Sequence, residues 1–259
     1  MLQVEESGDR RGPAVVLLHG IGTAGWMWWH QVAALGDHHC LAVDLPGHGR
    51  SSAVPWVSLD DTAAQVAELM RRRTATARAH VVGLSLGGQV ALSLLERWAD
   101  VAERVVVSGV TAQPWGPRVL VEAQLRLTAA MLRSPRAVDA QARAYGLPPA
   151  QRDALAESLR VMSPATYRRI GREVSRYRLP PALASVPTPT LVLAGGDESE
   201  LVRRAVADVA AVLPAGEGRI APGLGHGWNV EAPDLFDATV RAWISGAPLP
   251  ARLLPVGGR

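Results

Sequence analysis

Short, continuous apolar runs punctuate the chain: Ala14-Val15-Val16-Leu17-Leu18, Cys40-Leu41-Ala42-Val43, His80-Val81-Val82-Gly83, Arg104-Val105-Val106-Val107 and Thr190-Leu191-Val192-Leu193. Runs with no polar alternation predict strands buried on both faces. Between them lie longer stretches with helical spacing, at about 58–73, 87–98, 199–213 and 230–244. Strands and helices in alternation predict an α/β fold on a mostly parallel, doubly wound sheet. Ser58 followed by Asp61 reads as the start of one helix. Asp234 behind Pro233 marks a first turn near the C-terminus.

The alternation stops between about 112 and 182. That segment has no strand pattern and is broken by Pro114, Pro117, Pro135, Pro148-Pro149, Pro164 and Pro180-Pro181. It is too long for a plain connection and predicts a helical insertion late in the sheet, a cap or lid. The expected organisation is a core over 1–111 and 183–246, a helical cap over 112–182, and a Pro/Gly-rich tail over 247–259 that frays.

Composition narrows the classes. The chain has 259 residues, 48% hydrophobic and 20% charged, which excludes global disorder. No apolar run approaches the ~20 residues of a membrane span, so no membrane partner is expected. The opening Met1-Leu2-Gln3-Val4-Glu5-Glu6 is acidic, not apolar, which predicts no secretory leader and a cytoplasmic location. A single cysteine, Cys40, excludes an intramolecular disulfide framework. All 27 basic residues are arginine and the net charge is +3. They are scattered except for Arg71-Arg72-Arg73, which closes a helix and complements its dipole, so nucleic acid is not an expected partner.

Three glycine-rich segments carry the chemistry. In Gly83-Leu84-Ser85-Leu86-Gly87-Gly88 a serine lies between an apolar strand and a helical pattern. Such a turn exposes the hydroxyl above the sheet, and small residues two positions either side let strand and helix approach. His19-Gly20-Ile21-Gly22 follows the first apolar strand. Its glycines allow a fold-back that points an amide at the site, so Ile21 and Leu86 are the candidate oxyanion donors. Pro222-Gly223-Leu224-Gly225-His226-Gly227 places a histidine on a late loop, in the chain order expected of a base for Ser85.

With Asp44-Leu45-Pro46-Gly47-His48-Gly49-Arg50-Ser51, these segments resemble the α/β-hydrolase superfamily over about 2–246. The resemblance implies a helical cap over the site and no metal or organic cofactor. It also implies that Asp44-to-Ser51 is a structural turn rather than a catalytic element. In similar proteins the acid follows the strand near 190–194 in a G-x-x-D pattern. Here the segment reads Gly195-Gly196-Asp197-Glu198, a register that puts Glu198 in the acid slot. Asp197 fits if the loop is one residue shorter.

The expected protein is a serine hydrolase. Ser85 is its nucleophile, His226 its base, and Glu198 or Asp197 the orienting acid. Gly20, Ile21 and Leu86 would shape the oxyanion site. Trp28, with Trp26 and Trp29, and Trp115, with Leu125, Met131, Leu132 and Met162, suggest a partly apolar pocket wall, the alternative being cap core. The expected partner is a small-molecule ester, thioester or lactone. Lyase, cyclase or C–C-bond chemistry on the same residues, and a slow-turnover binding receptor, are the rival readings.

Overall fold

The computed structural model describes residues 1–256. The five apolar runs form β2 (Ala14–Leu18), β3 (His39–Asp44), β4 (Ala79–Leu84), β5 (Ala102–Ser108) and β6 (Thr190–Gly195). Three further strands, β1 (Gln3–Ser7), β7 (Gly216–Ala221) and β8 (Leu254–Val256), complete one sheet of order β1-β3-β2-β4-β5-β6-β7-β8. Only β1 and β8 run antiparallel to their neighbours. β1 is an edge strand with a mostly polar sequence, and β8 is only three residues long with a proline in it, which is why periodicity misses them. β8 also corrects the expectation of a frayed tail. Leu254 pairs with Ile220 and Val256 with Gly218; residues 257–259 lie outside the described part.

Alternate residues of each central strand enter different cores, so both sheet faces are dry. Val16, Leu18, Val81, Val105, Val107 and Val192 pack under α2 (Leu59–Arg73), α3 (Leu86–Trp98) and α8 (Glu200–Val212). Val15, Leu17, Val82, Leu84, Val106 and Leu191 pack on the other side. That second side carries α1 (Trp29–Ala34) and α10 (Pro233–Ser245). At ~1.5–3 kcal/mol for each buried Val or Leu, this double layer dominates the stability of the fold.

Local signals set the helix ends. Ser58 Oγ accepts from the Asp61 amide at 3.0 Å, capping α2. The stretch expected as one helix over 230–244 is two. A short α9 (Trp228–Glu231) ends before Ala232, which takes φ −137°, and α10 starts at Pro233. A residue preceding proline is pushed out of the helical region, and proline suits a first helical position.

Between β5 and β6 the chain forms α4 (Arg118–Met131), α5 (Pro135–Ala144), α6 (Arg152–Val161) and α7 (Pro164–Val174). Leu132, Ala142, Leu155, Leu159 and Met162 make a small core of their own. Ile170, Val174 and Tyr177 join the main core instead. The insertion is also tied to the loop after β2, where Trp26 Nε1 donates to Ser158 Oγ at 2.8 Å.

Candidate active site

Ser85 stands between β4 and α3 with φ +54° and ψ −111°. A non-glycine residue at such angles stores ~1–3 kcal/mol, which the surrounding structure must hold. The restraints are visible. The Ser85 amide donates to the Ser108 carbonyl at 2.8 Å, and the Gly87 amide donates to the His19 carbonyl at 3.1 Å. A Cβ on Gly87 would lie 2.0 Å from the Leu18 carbonyl oxygen, and one on Gly83 2.4 Å from that of Gly87. Both glycines are therefore required for the helix to start directly above the strand. Leu86 is the first residue of α3, where helical amides have no carbonyl four residues back.

His226 reaches the same end of the sheet from the loop after β7. Its ring packs on Gly109, directly after β5. A Cβ at Gly109 would sit 2.7 Å from His226 Cε1, and φ there is +67°. Ser85 is bonded to Ser108 and His226 rests on Gly109, so the C-terminal end of β5 joins the two. Trp228, fully buried, donates from Nε1 to Ser108 Oγ at 2.9 Å and anchors the histidine loop there.

The two carboxylates of the β6 loop part company. Glu198 is buried, and its Oε2 accepts from His226 Nδ1 at 2.5 Å. Its Oε1 accepts from the Gly195 amide at 3.1 Å. Asp197 is exposed, held through its backbone amide to the Leu224 carbonyl at 3.0 Å. With Nδ1–H directed at Glu198, His226 keeps Nε2 as its free acceptor.

The loop after β2 is pinned on both sides of Ile21. The Gly20 carbonyl accepts from His19 Nδ1 at 2.8 Å and from Thr23 Oγ1 at 2.8 Å. Because a peptide is planar, fixing that carbonyl fixes the Ile21 N–H pointing the opposite way. The Ile21 carbonyl accepts from Gln141 Nε2 at 3.0 Å and from Tyr145 Oη at 3.2 Å. Tyr145 also lies against the histidine loop, its ring centroid 5.6 Å from that of His226. Burial pushes its hydroxyl pKa up, so it stays a donor. Neither Gln141 nor Tyr145 carries a sequence signal; each lies in the strandless insertion and is recruited only by packing.

His19 is a structural histidine here. It is fully buried, and its Nε2 accepts from the Leu45 amide at 3.0 Å, which leaves Nδ1–H for Gly20. Burial lowers its pKa to about 4. Burial also lowers that of His48, whose ring meets His19 edge-on at 4.8 Å. Asp44 accepts from the amides of Gly25 at 2.7 Å and Arg50 at 2.9 Å, holding the turn after β3.

The tryptophans do not gather as a wall. Trp28 is a correction: it is completely buried on the α10 side of the sheet, 6.0 Å from the Phe236 ring. Trp115 is 42% exposed and donates to Thr111 Oγ1 at 3.2 Å. Leu132 and Met162 belong to the core of the insertion, and Met131 is exposed.

Known proteins share this fold. The model of the alpha/beta hydrolase family matches residues 15–239. A 2-succinyl-6-hydroxy-2,4-cyclohexadiene-1-carboxylate synthase from Serratia proteamaculans is 30% identical over 258 residues, covering 93% of this chain and 97% of the relative. A pimeloyl-acyl-carrier-protein methyl ester esterase from Methylococcus capsulatus is 45% identical over 92 residues, 35% of this chain and 34% of the relative. The chain thus matches only about a third of that esterase's length, and the same holds for another such esterase, from Vibrio vulnificus. Among solved structures, the enol-lactonase from Burkholderia xenovorans superposes with a TM-score of 0.81 at 25% identity, over 94% of this chain and 96% of that one. Among the described residues no helix is long and apolar enough to cross a membrane. From β2 to α10, in its sheet and in its sequence, this chain belongs to the alpha/beta hydrolase family.

Proposed function

We propose that the chain is a serine hydrolase acting on small or medium, partly apolar esters, thioesters or lactones. One observation carries the reading: a serine held at positive φ at the head of a helix, its amide hydrogen-bonded to the neighbouring strand end that seats a Glu198–His226 pair. In this mechanism Ser85 Oγ attacks the substrate carbonyl and His226 Nε2 takes its proton. Glu198 holds the imidazole in the productive tautomer and stabilises the imidazolium. The Ile21 and Leu86 amides receive the oxyanion, each worth ~3–4 kcal/mol by analogy with measured donors. The leaving group departs with the proton from His226. Water then attacks the acyl-enzyme with His226 as base. The insertion covers the site and selects substrates.

The test is Ser85→Ala with p-nitrophenyl esters and fluorophosphonate labelling. The expected loss in kcat is on the order of 10⁴–10⁶-fold, with labelling abolished. Activity within tenfold of wild type would remove Ser85 from the mechanism. The full-length likeness to a synthase supports a second reading, proton abstraction by the same Ser85–His226 pair with no covalent intermediate. A pre-steady-state burst of p-nitrophenol supports the acyl-enzyme reading; turnover of a non-ester substrate without an acyl adduct supports the second.

A further inference from the structure

Charge is strongly segregated in this chain. Twelve of its 27 arginines but only five of its 24 acidic residues lie between 112 and 182. That segment carries a formal +7, against −4 for the remainder. Within it, a pocket of about 210 Å³ is lined by Arg118, Arg172, Arg176 and Arg178, with Ser175 and Glu122. Glu122 is already committed. It accepts from Arg126, Arg168 and Arg172, and those bonds hold its carboxyl well below the usual range. Among the described residues no carboxylate pairs with Arg118, Arg176 or Arg178; the ion pairs beside this pocket end on Glu122, and the segment's other two, Arg152–Asp139 and Arg160–Glu157, involve none of its lining residues. Arg172, Arg176 and Arg178 also border an adjoining groove of about 610 Å³. That groove carries Asp60, Glu96 and Glu173 as well, so the uncompensated cationic end is the smaller pocket.

The pocket lies close to the candidate active site along the chain. Pro114 and Gly116 line it, and Gly109 touches the His226 ring. Five residues span at most ~18 Å, which bounds the distance from Gly109 to Pro114. The linker is held in place by the Trp115 amide on the Ser175 carbonyl at 3.0 Å. Guanidinium groups match phosphate geometry through paired N–H donors, and several around one small polar pocket suit a multiply charged oxyanion better than a single carboxylate.

We propose that this pocket binds a phosphate group of the substrate, so that the preferred acyl donors are thioesters or esters on a phosphorylated arm. This rests on the serine-hydrolase reading and adds its substrate class.

The experiment compares butyryl-4′-phosphopantetheine with butyryl-pantetheine, which differ by one phosphate, on wild type and on an R176Q/R178Q variant. The expected wild-type preference is about 10²-fold in kcat/KM, mostly through KM. It should fall about tenfold in the variant and shrink with added salt, since a charge-based preference is screened. A wild-type ratio near one, or a ratio unchanged in R176Q/R178Q, overturns the assignment. Butyryl-CoA and a butyrylated carrier protein present the same phosphate on a nucleotide and on a protein. The faster of the two identifies the source, and if neither slows in the variant the site is refuted. Ser85→Ala separates the two levels. Undiminished ester hydrolysis in that variant defeats the hydrolase reading. A Ser85-dependent activity with no phosphate preference defeats only the pocket.

Discussion

Removing the two donors on the Ile21 carbonyl tests how far the insertion controls the chemistry. Tyr145→Phe keeps the ring that packs 5.6 Å from His226 and deletes only the hydroxyl bond of 3.2 Å. Gln141→Leu deletes the other bond, of 3.0 Å. Each neutral hydrogen bond is worth a net ~1 kcal/mol, so either single variant should lose about fivefold. The double variant leaves the carbonyl without either donor, at a further cost of ~1–3 kcal/mol. Its loss should therefore exceed the product of the single losses, because both donors share one acceptor. An upper limit of about 10²–10³-fold follows, the value of one oxyanion donor. The assay is kcat and KM with p-nitrophenyl butyrate, beside the affinity of a boronic acid that forms a tetrahedral adduct on a serine. The expected result is a parallel fall in kcat and boronate affinity, with KM within about twofold. If the double variant loses thermal stability but keeps wild-type kcat and boronate affinity, Gln141 and Tyr145 hold the fold together and leave the oxyanion geometry alone.

Two further outcomes are expected. Glu198→Gln should lower kcat by about 10³-fold or more and Asp197→Asn by less than twofold, because only Glu198 reaches His226 Nδ1, at 2.5 Å; the reverse ranking would make Asp197 the acid. Stability should fall on mild acidification. The lowered His19 binds no proton in the folded state until about pH 4, whereas the unfolded chain binds one below 6.5. The stability is therefore intact above 6.5 and is lost progressively down to about 4. Over that window His19 contributes about 3 kcal/mol, and His48, lowered in the same direction, adds to it. Urea unfolding at pH 7, 6 and 5 measures this, and a flat midpoint between pH 7 and 5 would contradict it.

Much of the framework is local in origin and so is legible in the sequence. Val15–Leu18, Val81–Val82, Val105–Val107 and Leu191–Leu193 are apolar at every position because both faces of each strand are covered, and that pattern alone specifies central strands of a parallel sheet. The turn at Ser85 is equally local: a Cβ at Gly83 or Gly87 would fall 2.4 or 2.0 Å from a backbone oxygen, an approach that no side chain tolerates. Edge strands β1 and β8 leave little trace, since one is mostly polar and the other is only three residues long with a proline in it. What only tertiary structure decides are the contacts between segments distant in the chain. The path of Gly195-Gly196 turns Glu198 inward and Asp197 outward, a choice that two adjacent glycines leave open until the His226 loop packs against them. Trp28 looks like a pocket residue beside a glycine loop, yet the curvature of that loop carries it under the sheet to Phe236. Gln141 and Tyr145 bond to Ile21 across 120 and 124 residues of sequence. No periodicity encodes such a bond, because it is made by the docking of one element on another rather than by the spacing of residues within either.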